Sequence, residues 1–280
     1  MFHKFKKMEH LKKVILITGA SAGMGKEFAK ELLTDGHIVY GAARRIDKMA
    51  DIKSLGVKVM EMDVTDDALM VKGIDAIIKA EGRIDILVNN AGFGSYGAIE
   101  DVSMADARYQ LEVNVFGAAR LMQLVVPHMR AQHYGRIINI SSIGGKVALP
   151  LGGWYHASKF ALEALSDTLR NEVKPFGIDV VVIEPGGVKS EWGHIAMDNL
   201  VKTSGQGVYG TLSKKLAASL AGIESKIPEP IVIAKLVKKA IDAKKPKTRY
   251  SGGYMAGVLL FLRKIMPDRI LDSVLMNQLK

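Results

Sequence analysis

A tyrosine four residues before a lysine, in Tyr155-His156-Ala157-Ser158-Lys159, is a pair able to move a proton near neutral pH. A phenol titrates near 10, so exchange at pH 7 needs a shift of about 3 units, or about 4 kcal/mol of extra phenolate stabilisation. On a helix the two side chains share a face, and the lysine supplies the positive charge. A ketone accepting hydride develops an oxyanion that must be protonated, and an alcohol being oxidised must lose a proton; such a tyrosine serves either direction. The spacing alone carries little weight. With eight tyrosines and 28 lysines in 280 residues, about one such pair arises by chance, and this is the single one present.

Two other clusters give the pair a context. Ser142, in Ser141-Ser142-Ile143-Gly144, lies 13 residues before Tyr155 at the end of an apolar run, where its hydroxyl can stabilise charge developing on a substrate oxygen. Thr18-Gly19-Ala20-Ser21-Ala22-Gly23-Met24-Gly25 also follows an apolar run and opens a helical pattern. Missing side chains let the backbone approach a pyrophosphate, and free N–H groups at the helix start meet its charge. The spacing is GxxxGxG, not the GxGxxG of most dinucleotide folds. At the end of the next apolar run stand Ala42-Ala43-Arg44-Arg45, with no acid before Asp47. An acid there would bond the ribose 2′-OH of NAD and repel a 2′-phosphate, whereas arginine favours the phosphate. A charge-assisted hydrogen bond of about 1.5–3 kcal/mol corresponds to a ~10–100-fold preference, so NADP(H) is expected, with Arg44 or Arg45 making the contact.

The elements that must hold these residues read as strands alternating with helices. Apolar runs at 13–18, 37–42, 57–62, 84–88, 136–140 and 179–183 are separated by segments of helical length, the longest from Tyr155 to Val173. That alternation predicts an α/β fold, a single-domain doubly wound parallel sheet of Rossmann type with helices on both faces. Beyond Pro185, residues 187–226 are rich in Gly, Ser and Lys around weak helical stretches and are read as a substrate lid. Residues 227–280 are read as a helical extension of the same domain.

Composition excludes several alternatives. The absence of cysteine rules out disulfides and thiolate sites, and the seven histidines lack HExxH spacing, so no metal is expected. The net charge of +10 is carried by the ends, +4 in residues 1–13 and +8 in 226–280, leaving −2 between them, which argues against a nucleic-acid partner. The basic start lacks an apolar stretch behind it and the run Val258–Leu262 is too short to span a bilayer, so a cytoplasmic location is expected.

Taken in order, the motifs resemble those of the short-chain dehydrogenases/reductases, over residues 18 to 190. TGxxxGxG matches the first family fingerprint, so the resemblance places Gly19, Ser21, Gly23, Met24 and Gly25 at the cofactor. Asp63 and Val64 match the pair at the adenine, and Asn90, Ala91 and Gly92 belong to the NNAG segment that steadies the sheet along the cofactor. Asn114, in Leu111-Glu112-Val113-Asn114-Val115, matches the catalytic asparagine, which would hold a water linking Lys159 to solvent. Pro185 and Gly186 match the turn at the nicotinamide, with Val188 and Ser190 beyond it; the family commonly has threonine at the last position. The resemblance also implies a homodimer or homotetramer.

Three functions fit these residues. The first is reduction of a ketone or aldehyde, or its reverse, through Tyr155, Lys159, Ser142 and Asn114. The second is a dinucleotide-sensing scaffold, which need not keep the proton donor. The third is a membrane-associated lipid, retinoid or steroid-type reductase, suggested by Lys244, Lys245, Lys247 and Arg249 ahead of the apolar segment Tyr254–Leu262; that segment is otherwise read as a helix buried against the lid or a subunit. Gly94, Ser95, Tyr96, residues 148–154 and Trp192 are expected to line an apolar substrate pocket.

Overall fold

The computed structural model describes residues 12–277, with the side chains of residues 191, 192 and 194 outside that description; of the basic N-terminal segment 1–13, only Lys12 and Lys13 lie within it. The first half runs β1 (Val14–Thr18), α1 (Gly23–Thr34), β2 (Ile38–Ala43), α2 (Ala50–Ser54), β3 (Lys58–Glu61), α3 (Asp67–Glu81) and β4 (Ile86–Asn89). The second runs α4 (Met104–Leu111), α5 (Gly117–Ala131), β5 (Gly135–Ile140), α6 (Gly153–Val173), β6 (Ile178–Pro185), α7 (Glu191–Ser204), α8 (Gly210–Gly222), α9 (Ile231–Asp242), β7 (Arg249–Gly252), α10 (Ala256–Ile265) and α11 (Asp268–Asn277).

All pairings among the seven strands are parallel, in the order β3-β2-β1-β4-β5-β6-β7. Every residue of β1 is buried because helices cover both faces of the sheet. Ile15 and Ile17 pack with Phe28 and Leu32 of α1 and Val237 and Ile241 of α9. Val14 and Leu16, pointing the other way, pack with Ile74 and Ile77 of α3 and Leu121 and Val125 of α5. Each such fully buried side chain contributes about 1.5–3 kcal/mol. Chain order reverses between β1 and β4, which opens a crevice beyond their carboxyl ends, the usual ligand position in such sheets. This is a single-domain Rossmann-type fold, as the apolar runs predict.

The C-terminal region departs from expectation. Residues 187–226 form two true helices, α7 and α8, and a seventh strand joins the sheet edge. β7 also divides the segment that looked like one basic and apolar surface. Lys244, Lys245 and Lys247 precede β7 while α10 follows it, and Arg249 is a strand residue ion-paired with Glu163, Asp167 and Glu184. Within this chain α10 is covered on one side only. Leu259 and Leu262 pack with Val147, Leu271 and Leu275, but Val258, Phe261 and Ile265 on the opposite side are 50%, 59% and 56% exposed.

Candidate active site

The glycine loop turns between β1 and α1. Gly19 has φ +68°, a left-handed conformation that disfavours side chains, and a Cβ on Gly25 would lie 2.4 Å from Gly19 O. Thr18 and Asn90 brace the loop: the N–H groups of Asn90 and Ala91 donate to Thr18 Oγ1 at 3.1 and 3.0 Å, and Asn90 Nδ2 donates to Thr18 O at 2.9 Å. α1 begins with no side-chain cap and no acid in its first turn, so its leading N–H groups suit an anion. Met24 packs its side chain against the core and Val188 does likewise, which leaves their backbones for a ligand. A Cβ on Gly23 would come within 3.6 Å of Ser190 Cβ, so the residue just before α7 stands across the loop. Ser190 makes no capping bond to α7.

Along the crevice toward β3, an open hollow of about 650 Å³ is lined by Arg44, Glu61, Asp63, Thr65 and the start of α3. Arg44 Nη1 donates to Tyr109 Oη at 2.9 Å, a partner on α4 that sequence reasoning did not find. Arg45 is exposed and is not among the residues lining this hollow. One Asp63 oxygen accepts from Thr65 N–H and Oγ1, at 3.0 and 2.9 Å, fixing the turn after β3. Val64 is buried, packed beneath the start of α5. The uncapped helix start and the glycine loop fit the pyrophosphate of a dinucleotide.

The proposed chemical group gathers at the carboxyl ends of β4, β5 and β6. Tyr155 and Lys159 lie one turn apart on α6, both buried. Tyr155 shares a side-chain hydrogen bond with Ser142, whose Oγ also accepts from Gly144 N–H at 2.9 Å and donates to Pro185 O at 3.4 Å. Burial pushes the Tyr155 phenol up to about 12, with the Ser142 bond opposing it; this is the reverse of the downward shift expected from Lys159, because the loss of water dominates. Lys159 Nζ donates to Ile140 O at 2.9 Å and lies 6.0 Å from the Tyr155 ring centre; burial pulls it down to about 8, against the attraction of Glu163.

Asn114 sits in a π-helical stretch, Glu112–Phe116, between α4 and α5, a distortion common at functional sites. Its Oδ1 accepts from Phe93 N–H at 3.0 Å, and its Nδ2 donates to Phe93 O at 2.9 Å and Ser158 Oγ at 3.0 Å. A Cβ on Gly92 would lie 3.1 Å from Asn114 Oδ1 and 3.7 Å from Lys159 Nζ, so these three residues meet. Tyr155 is covered by an apolar cluster of Tyr96, Leu151, Ala196, Leu200 and Leu216, which joins the segment after β4 to α7 and α8. Tyr96 stacks obliquely on Tyr155, ring centres 5.6 Å apart. The Trp192 side chain lies outside the described residues.

The short chain dehydrogenase family model matches residues 13–199, more than half of the chain. The chain belongs to that family. It is 35% identical over 265 residues to the 3-ketodihydrosphingosine reductase of Bacteroides thetaiotaomicron, covering 94% of this chain and 96% of that one. It is 35% identical over 280 residues to the NADPH-dependent 3-dehydrocapnine reductase of Ornithobacterium rhinotracheale, with 95% and 96% covered. A solved short-chain dehydrogenase from Streptomyces avermitilis superposes with a TM-score of 0.76 at 31% identity, covering 95% of this chain and 94% of that one. Among the described residues no helix is long and apolar enough to cross a membrane.

Sequence reasoning missed three further residues of the site. His156 is buried beside Tyr155, its ring joined to Gly144 O at 3.0 Å and to the Leu149 amide at 3.0 Å. Ser158 joins Asn114 to the Tyr155 carbonyl, to which its Oγ donates at 2.7 Å. Glu163 carries ion pairs from two other segments. The only sequence signal was their place on the helix bearing Tyr155 and Lys159.

Proposed function

We propose that this chain is an NADPH-dependent reductase of ketones or aldehydes with Tyr155 as the general acid. The observation that carries the reading is the setting of Tyr155: one helical turn from Lys159, bonded to Ser142 and roofed by apolar side chains. Reduction needs a proton donor at the developing oxyanion, and a phenol near 12 is fully protonated at neutral pH. When bound, the cofactor supplies the hydride to the carbonyl carbon. Tyr155 gives its proton to the carbonyl oxygen, Ser142 hydrogen-bonds that oxygen, and Lys159 adds the positive charge that stabilises the phenolate left behind. Asn114 holds the Phe93 segment and Ser158 in register with Lys159.

The 2′-phosphate preference is assigned to Arg44, which lines the hollow next to Asp63. Gly19, Ser21, Gly23, Met24 and Gly25 would take the pyrophosphate, and Gly92, Pro185, Gly186, Val188 and Ser190 would border the nicotinamide half. The apolar roof supports a substrate with an apolar body. Two relatives named for reducing a 3-keto and a 3-dehydro compound support reduction as the direction. The test is NADPH consumption by pure protein with a panel of carbonyl compounds. Absence of turnover despite tight NADPH binding would favour the dinucleotide-sensing scaffold.

A reductase working at a membrane surface is the second reading, favoured by the exposed stripe Val258, Phe261 and Ile265. Its helix packs through Leu259 and Leu262 on Val147 and Leu149, in the loop between Ser142 and Tyr155. Sedimentation with anionic liposomes tests it: protein wholly in the supernatant would remove this reading.

A further inference from the structure

Lys159 must stay charged to support Tyr155, yet it is buried and its Nζ donates to a neutral carbonyl, Ile140 O. A buried ammonium without a nearby anion tends to lose its proton. The anion on its own helix face is Glu163, one turn beyond Lys159 and two beyond Tyr155, and only 3% exposed. Glu163 is held from several sides. Its Oε2 accepts from Arg249 Nε at 3.0 Å and Nη2 at 2.8 Å, and pairs with Lys146 Nζ at 2.9 Å. Its Oε1 is buried without a hydrogen-bond partner. Arg249 also reaches Asp167 Oδ2 at 2.7 Å and Glu184 Oε1 at 3.4 Å. The charged groups around Glu163 are thus Lys159 and Asp167 of α6, Lys146 of the Ser142 loop, Glu184 of β6 and Arg249 of β7.

We propose that Glu163 is a positioning residue that keeps Lys159 charged beneath Tyr155, with Arg249 on the edge strand β7 limiting how strongly it does so. The inference rests on the reading of Lys159 as the electrostatic partner of Tyr155. Glu163 attracts the Lys159 proton, while Arg249 and Lys146 draw on the same carboxylate. Removing the anion and removing the competing cation must therefore move the lysine in opposite directions, whereas general loosening of the fold would not.

The experiment follows Lys159 directly. In cofactor-free protein with 13C-labelled lysine, its signal is identified by its loss in Lys159→Arg and titrated by NMR. The midpoint is expected to fall by about one pH unit in Glu163→Gln and to rise in Arg249→Gln. Glu163→Asp should recover part of the fall, and the alkaline limb of kcat/KM should move with the midpoint. An unmoved midpoint in Glu163→Gln, or shifts of the same sign in both variants, overturns the proposal. If Glu163→Gln does not fold, Arg249→Gln decides alone, and an unmoved or lowered midpoint overturns it. An inactive Tyr155→Phe with an unmoved Lys159 midpoint defeats this inference only. Turnover surviving in Tyr155→Phe defeats the underlying assignment of the proton donor.

Discussion

The Leu149 amide donates to His156 Nε2 at 3.0 Å, tying the residue next to Tyr155 to the loop that follows Ser142. Because Nε2 accepts, Nδ1 carries the proton and donates to Gly144 O at 3.0 Å. One neutral imidazole thus fixes both ends of that loop against the first turn of α6. Burial holds the His156 pKa below its ordinary value of 6.5, so the folded state resists protonation while the unfolded chain accepts it. The stability from neutral His156 is full above about 6.5 and is lost as pH falls below that value. His156→Ala should cost about 2–3 kcal/mol at pH 7.5 by leaving the buried Leu149 N–H and Gly144 C=O unpaired, and the difference from wild type should narrow toward pH 5. Urea unfolding at the two pH values checks this, and a pH-independent difference would contradict it.

Tyr155→Phe removes the proton donor and leaves the ring packed against Tyr96. Turnover should fall by roughly 10²–10⁴-fold while NADPH binding, read by fluorescence, changes little. Ser142→Ala should lower kcat and kcat/KM together, because its hydroxyl acts on charge present only in the transition state. A Tyr155→Phe enzyme retaining a tenth of its activity would rule out the assigned role.

Arg44 and Arg45 are adjacent in sequence, but only Arg44 lines the hollow shared with Asp63. Arg44→Ala should reduce the NADPH-to-NADH ratio of kcat/KM by about 10–100-fold, whereas Arg45→Ala should leave it nearly unchanged. Equal losses in both variants would show that Arg45 shares the phosphate.

Glu184 precedes Pro185 at the end of β6, and burial raises it to about 7, with nearby Glu163 adding to the rise and Arg249 opposing it. The Arg249 contact at 3.4 Å does not offset the loss of water. The fold therefore keeps a proton that the unfolded chain loses above about 4.5, so this contribution is present at low pH and is lost as pH rises through about 7. Glu184→Gln should gain stability relative to wild type between pH 5 and pH 8, on the order of 2 kcal/mol. Thermal melts at the two values test the sign, and a constant difference would refute it.

Five of the six strands read from the sequence were legible because a strand covered on both faces must be apolar almost throughout, as in Val14–Thr18 and Ile178–Pro185, while the edge strand β3 showed only as an interrupted run at 57–62. β7 was not legible, because Arg249-Tyr250-Ser251-Gly252 has no such run and its arginine is satisfied by acids some 65 to 85 residues away in sequence. The same remoteness made Arg249 look like part of a basic surface. That Tyr155, Lys159 and Ser142 come together could be read from spacing and order, since the helix and strand ends carrying them follow local rules, whereas Asn114 came only through the family resemblance. His156, Ser158, Tyr109 and Glu163 could not, since their partners depend on how distant segments meet, and the π-helical turn at Asn114 leaves no mark in composition.

Ser190 stands across from Gly23 and immediately precedes α7, inside the 187–226 segment read as the lid. On the proposed reading, a single position would border both the cofactor and the cover over the substrate. Occupancy of one compartment would then bear on entry to the other, and the two ligands should not exchange independently. The expected kinetic pattern is compulsory order, with the dinucleotide first on and last off. In product-inhibition experiments NADP+ should compete with NADPH, while the alcohol product should not compete with it.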